Sequence, residues 1–294
     1  MNRLGLMAAV ALAMALTACA HQAASDLAQV RMSYVSFQTL DEAKPLPEAG
    51  VLRMPVGING RVPAVVIVHG SSGVDSRGSA YAADLNRAGI ATFEIDMWAA
   101  RGIRGPEGRP KGVPETLPDA YAAFKLLTAH PGIDPDRIGI MGFSWGGVVS
   151  MLTASRTYSE RYLGKGGRFA AHAPNYPVCW AYNRVPGYEL KEFTGAPILL
   201  QTGALDDYDQ PDTCLKLLQS LPSDGARLVS LKVYPDAAHG WDRLEPAVVV
   251  NDPYSHLGKG GEVRIAPNEA IAVISRAATV AFFRCKLALT GCPP

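Results

Sequence analysis

The sequence predicts an α/β protein built on a mostly parallel sheet. Three observations lead there. "RVPAVVIVHG" at 61–70 is a continuous apolar, β-branched run stopped by glycine, which suits a strand buried on both faces. Strand-like and helix-like segments alternate almost throughout, the pattern of parallel crossovers. Between the strand "DRIGIMGFS" and the helix "WGGVVSMLTAS" the chain spends a serine and three glycines on one tight turn.

Taken in order, "RMSYVSFQTL" and "GVLRMPVG" read as a leading pair of strands, followed by the run at 61–70. "SRGSAYAADLNRAG" has helical spacing and ends on glycine. "IATFEIDMW" is the next strand, "RGIRGPEGRPKGVPET" a Gly/Pro-rich loop and "LPDAYAAFKLLTAH" a helix. After the serine turn come three more strands, "RFAAHAPNYP", "APILLQTG" and "RLVSLKVYPDAAHG". The helix "DQPDTCLKLLQSL" separates the last two, and "NEAIAVISRAATVAFFRCK" is the closing helix. "WDRLEPAVVVNDPYSHLGKGGEVRIAP" reads as a long irregular segment. No linker divides residues 31–294, which are expected to form one domain.

The chain of 294 residues is long enough to bury a sizeable core without staples. A formal net charge of +1 without a basic stripe argues against a nucleic-acid partner. His and Cys residues lack close ligand spacing, so no metal is implied.

The N-terminus reads as a processed segment. One early arginine precedes an uncharged apolar run from Leu4 to Ala18, shorter than a spanning helix needs and suited to a secretory signal. Leu16-Thr17-Ala18-Cys19 resembles the lipobox of bacterial lipoproteins. Residues 1–18 would then be the signal peptide, Cys19 the lipidated first residue and 19–30 a tether. With Ala20 next, the expected location is the periplasmic face of the outer membrane, with membrane contact only through the anchor. Cys179, Cys214, Cys285 and Cys292 are an even set in an oxidising compartment. Cys285 and Cys292, seven apart, suit a local bridge that would leave Cys179 and Cys214 to each other. The sequence permits three connectivities.

Gly142-Phe143-Ser144-Trp145-Gly146 is G-x-S-x-G between a strand and a helix. There the chain reverses within a few residues and leaves a serine exposed above the strand ends. A serine hydroxyl needs a base, and the base an orienting acid. Of six histidines, His239 in "VYPDAAHGW" lies past the last sheet strand and before the closing helix. The acid should follow "APILLQTG", where Asp206 is the first choice and Asp207 its rival. One oxyanion donor is the Trp145 amide at the helix start; Ser71, or else Ser72, should supply the other.

"VIVHGSSGVD", "FEIDMW", "DPDRIGIMGFSWGG", "LLQTGALDD" and "YPDAAHGWD" together resemble the dienelactone hydrolase family, in the family's order, from about residue 50 to 285. The resemblance implies an α/β-hydrolase fold, a mostly parallel sheet of about eight strands flanked by helices. It also implies cofactor-free hydrolysis of esters or lactones through an acyl-enzyme, with Ser144, Asp206 and His239 as the triad and Ser71 as the second oxyanion donor. "NYPVC" with "DDYDQPDTC" resembles a secreted branch whose cysteines bridge near the acid loop. The family's dienelactone hydrolases use a cysteine nucleophile and a glutamate in the loop after the third strand; this chain has Ser144 and Gly70. Arginines hold the substrate carboxylate in the family, and Arg101 and Arg243 stand near those places. Trp98, Trp145, Tyr176, Trp180 and Trp241 flank the proposed site and could line it or belong to the core.

The expectation is therefore a lipid-anchored serine hydrolase acting on a small-molecule ester or lactone. The alternatives are a non-catalytic envelope binding module and an acyltransferase using the same nucleophile.

Overall fold

A computed structural model describes residues 29–289. Its main sheet has eight strands in the order β1-β2-β4-β3-β5-β6-β7-β8. They are β1 (Val30–Gln38), β2 (Pro47–Pro55), β3 (Val62–Val68), β4 (Ala91–Asp96), β5 (Ile133–Phe143), β6 (His172–Asn175), β7 (Ile198–Leu205) and β8 (Val229–Ala238). The leading hairpin pairs antiparallel onto β4; β4, β3, β5, β6, β7 and β8 run parallel.

The β-branched run behaves as a central strand must. All of β3 is buried, and its side chains divide by the two-residue period of a strand. Ala64, Val66 and Val68 join the core on one face, while Val65 and Ile67 join the core on the other. The first core takes in Tyr121 from helix α2 (Leu117–Thr128) and Val149 from α3 (Trp145–Leu152). The second is closed by Tyr81 and Leu85 of α1 (Ser76–Arg87) and by Phe283 of the final helix (Glu269–Lys286). Asp75 caps α1 by accepting the Arg77 amide, and Asn268 caps the final helix by accepting that of Ile271.

The parallel register aligns the strand ends. Val68 sits beside Gly142, so the segments leaving β3, β5, β7 and β8 emerge at one edge of the sheet. Helix α4 (Arg156–Leu163) and a separate hairpin, β9 (Val248–Asp252) with β10 (Gly261–Ile265), lie where no element was expected. The hairpin replaces the irregular segment after His239. Between β7 and β8 runs α5 (Thr213–Ser220). Among the described residues no helix is long and apolar enough to cross a membrane. The signal segment, Cys19, most of the tether and Cys292 lie outside the described residues.

Candidate active site

From Ile138 to Leu152 every residue is buried except Ser144. Its backbone takes φ 52° and ψ −113°, a left-handed φ that costs a non-glycine residue of order 1–3 kcal/mol. The neighbouring glycines make the turn feasible. A Cβ on Gly142 would lie 2.2 Å from the Gly146 carbonyl oxygen, and one on Gly146 would lie 2.1 Å from that of Val68. The Ser144 amide donates to the Asn175 carbonyl at 3.0 Å, and the Val148 amide donates to the Ser144 carbonyl at 2.8 Å. The serine is thus fixed at the start of α3, where backbone amides lack partners within the helix.

His239 follows β8 directly, and its Nδ1 lies 2.8 Å from Asp206 Oδ2, with both side chains almost wholly buried. The other Asp206 oxygen accepts the Tyr208 amide at 3.0 Å. The histidine ring packs against Tyr208, 4.5 Å away and tilted, and edge-to-face against Tyr176, 4.8 Å away. Asp207 points elsewhere: its carboxylate accepts the Arg264 amide at 2.8 Å. Asp209 accepts the amides of Cys179 and Trp180. Burial, reinforced by the charge of Asp206, pushes its carboxyl up to about 7.

The loop carrying Ser71 and Ser72 is held from behind. Trp98 Nε1 donates to the Ser71 carbonyl at 2.9 Å. His69 Nε2 accepts the Met97 amide at 3.0 Å, so Nδ1 carries the proton and donates to the Gly70 carbonyl at 2.7 Å. Burial drives the His69 pKa down to about 4, which keeps the ring neutral in that role.

A second buried layer supports the site. Tyr176 donates to Asp242 Oδ1 at 2.5 Å, and Tyr81 donates to Oδ2 at 2.8 Å. Asn175, whose carbonyl holds the serine amide, also reaches Asp242 with its side chain. Arg77 is paired with Asp75, donates to the Tyr176 hydroxyl at 3.1 Å and lies over the Phe143 ring.

Two cavities meet at Ser144. The larger, about 400 Å³, is walled mainly by apolar and aromatic side chains. The smaller, about 60 Å³, is lined by Ser144 and His239 together with Arg77, Arg109 and Arg243. Ser71 lines both, Ser72 the smaller and Trp145 the larger.

Three of the candidate substrate-binding residues lie away from the two cavities. Arg101 lines neither cavity. It donates to both oxygens of Asp119, at 2.8 and 3.0 Å, and to Glu48 at 2.5 Å. Those two buried carboxyl groups capture the guanidinium below the rim. Trp98 is buried and braces the Ser71 loop, with its ring edge on Trp145. Trp241 is wholly buried among Tyr176 and Tyr234 and donates to Ser275, a core residue. Tyr176 is core as well, whereas Trp145 and Trp180 face the larger cavity. Arg243 does face the smaller cavity, with only its Nε near Glu245, at 3.5 Å.

Sequence reasoning missed Arg109, Tyr208 and Asp252. Arg109 donates to Ser71 Oγ at 3.1 Å and to Asp252 of the hairpin at 2.8 Å, and lies over the rings of Trp145 and Tyr254. It is one of three arginines in the Gly/Pro-rich loop 101–116, and nothing local marks it. Tyr208, two residues beyond Asp206, had a signal in that proximity.

Cys179 and Cys214 are bridged, with Cα atoms 5.1 Å apart, which ties the turn after β6 to α5. Their sulfurs lie near Asp209, but thiols joined in a disulfide offer no thiolate to a metal. Cys285 is also disulfide-bonded.

Strand order, crossovers and the serine turn define an α/β-hydrolase fold. The chain matches the dienelactone hydrolase family over residues 49–283, and it belongs to that family of hydrolases. It is 29% identical over 195 residues to a Bradyrhizobium protein named "Probable 2-oxo-3-(5-oxofuran-2-ylidene)propanoate lactonase", a match covering 61% of this chain and 71% of that one. A shorter match, 50% identical over 54 residues, is to "Uncharacterized peptidase YtmA" of Bacillus subtilis (strain 168); it covers 18% of this chain and spans only 21% of that protein. Among solved structures, Thermogutta terrifontis esterase 2 phosphorylated by paraoxon superposes with a TM-score of 0.61 at 14% identity, covering 91% of this chain and 96% of that one. At that identity the likeness concerns the fold.

Proposed function

We propose that the protein hydrolyses carboxylic esters or lactones through an acyl-enzyme on Ser144. The observation that carries this reading is the 2.8 Å contact of His239 Nδ1 with Asp206, placed beside the cavity that Ser144 and His239 share. A carboxylate on Nδ1 fixes the proton there and leaves Nε2 free to take one from the serine. Ser144 Oγ attacks the carbonyl carbon as its proton passes to His239. The amides of Trp145 and Ser71 receive the oxyanion. His239 then protonates the leaving oxygen, and a water it activates releases the acid.

Membership of the dienelactone hydrolase family and the lactonase name of the Bradyrhizobium relative support esters and lactones as the substrate class. Arg243, facing the small cavity, supports a substrate with a carboxylate near the reacting bond, since a guanidinium can hold it by paired hydrogen bonds. The sequence Leu16-Thr17-Ala18-Cys19 supports a lipid anchor and an outer-membrane location; palmitate labelling of the full chain, lost in Cys19→Ala, would test that part.

The test of the nucleophile is a fluorophosphonate probe on the folded protein, read by peptide mass spectrometry. The expected adduct sits on Ser144 and falls sharply in His239→Ala. A folded wild type without an adduct on Ser144 would rule this reading out.

A further inference from the structure

The two cavities differ in size, in chemistry and in which catalytic group they contain. Ser71, Arg109, Ser144, Tyr208 and Asp252 line both and form the waist between them. His239 lines the small cavity and not the large one. This asymmetry assigns the two halves of a substrate. In acyl transfer the histidine that accepts the serine proton must hand it to the leaving oxygen, so the leaving group lies on the histidine's side. The acyl group, bonded to Ser144 and with its oxyanion at the Trp145 amide, is left to the other side.

That other side is the roomy one. Val113, Val148, Val178, Trp180 and Tyr188 contribute to a wall around about 400 Å³, within the usual range of small-molecule sites. The histidine side offers about 60 Å³, far less than the acyl side. Apolar walls reward apolar contact, and polar arginines crowd the smaller space.

Resting on the serine hydrolase reading, we propose that the enzyme selects esters with a bulky apolar acyl group and a small leaving group. In the step concerned the Ser144 Oγ–acyl bond forms and the ester C–O bond breaks. The small alkoxide leaves with the proton held by His239, and water later regenerates Ser144 and frees the acid.

Two isomeric esters test the assignment: methyl 4-phenylbutanoate, with the ring on the acyl side, and 3-phenylpropyl acetate, with it on the alcohol side. One methylene in an apolar pocket is worth roughly tenfold or more in kcat/KM, so the methyl ester should be favoured by at least about tenfold. Equal rates, or preference for the acetate, would overturn the proposal and leave the serine hydrolase reading intact. Hydrolysis of neither ester by a protein whose Ser144 still takes the fluorophosphonate would also overturn it. Failure to label Ser144 would bring down the hydrolase reading itself. Val185→Trp, placed on a partly exposed loop lining the large cavity, supplies a second arm. It should shrink the kcat/KM ratio of methyl 4-phenylbutanoate to methyl acetate by about tenfold; an unchanged ratio in the folded variant would contradict the assignment.

Discussion

Asp206 and Asp207 are adjacent and chemically identical, yet the fold gives them different partners. Asp206 meets His239, and Asp207 accepts the Arg264 amide of the hairpin. Asp206→Asn should therefore cut kcat on the order of 10⁴-fold by disturbing the histidine tautomer. Asp207→Asn should leave kcat within a small factor of wild type, and steady-state kinetics on a common aryl ester separates the two. Equal losses would mean that the acid has been misassigned. The placement of Ser144 and His239 at one end of the sheet was legible because its signals are local: an elbow bracketed by glycine, and a histidine just past a strand. The choice between neighbouring carboxylates was only half legible, since one residue's shift in a loop turns the side chain elsewhere. Arg101 was misread because the sequence does not reveal Glu48 and Asp119 converging on it from β2 and α2. Arg109 was missed for the converse reason, as its partners come from the β3 loop and the hairpin.

At the scale of elements, hydrophobic period and glycine stops marked every strand of the main sheet. The β9–β10 hairpin escaped because its strands are five residues each and pair with each other outside the sheet. Its anchors are tertiary: the Ala266 amide donates to the His239 carbonyl, and the His256 and Leu257 amides donate to the carbonyls of Asp207 and Tyr208. The hairpin thus braces both the histidine and acid loops. The Cys179–Cys214 bridge braces the acid loop from the other side, through the turn whose amides hold Asp209. With its cysteines 35 positions apart, replacing both by alanine should cost roughly 2–4 kcal/mol of stability. Chemical denaturation of the oxidised protein and the double variant measures this. Unchanged stability would show that the bridge contributes nothing to holding the loop.

Across the whole molecule, charge is buried well away from the site as well as beneath it. Burial, followed by the neighbouring Asp119, pushes the Glu48 carboxyl up to about 9 from an ordinary 4.5. The folded protein therefore keeps a proton that the unfolded chain has already released. Its stabilising effect is complete below about pH 4.5 and is lost progressively as pH rises toward 9. Glu48→Gln, which keeps the shape without the titration, should flatten that decline, so its melting temperature should gain on wild type more at pH 8.5 than at pH 5. Parallel curves would show that Glu48 ionises normally in the folded state. All these supports converge on one claim, that Ser144 is a nucleophile driven by His239 and Asp206. The most direct test is turnover of methyl 4-phenylbutanoate by the wild type beside Ser144→Ala, with thermal unfolding followed in parallel. The expected result is hydrolysis by the wild type, a loss on the order of 10⁴-fold or more in the variant, and a nearly unchanged melting temperature. Wild-type turnover by a folded Ser144→Ala protein would contradict the account.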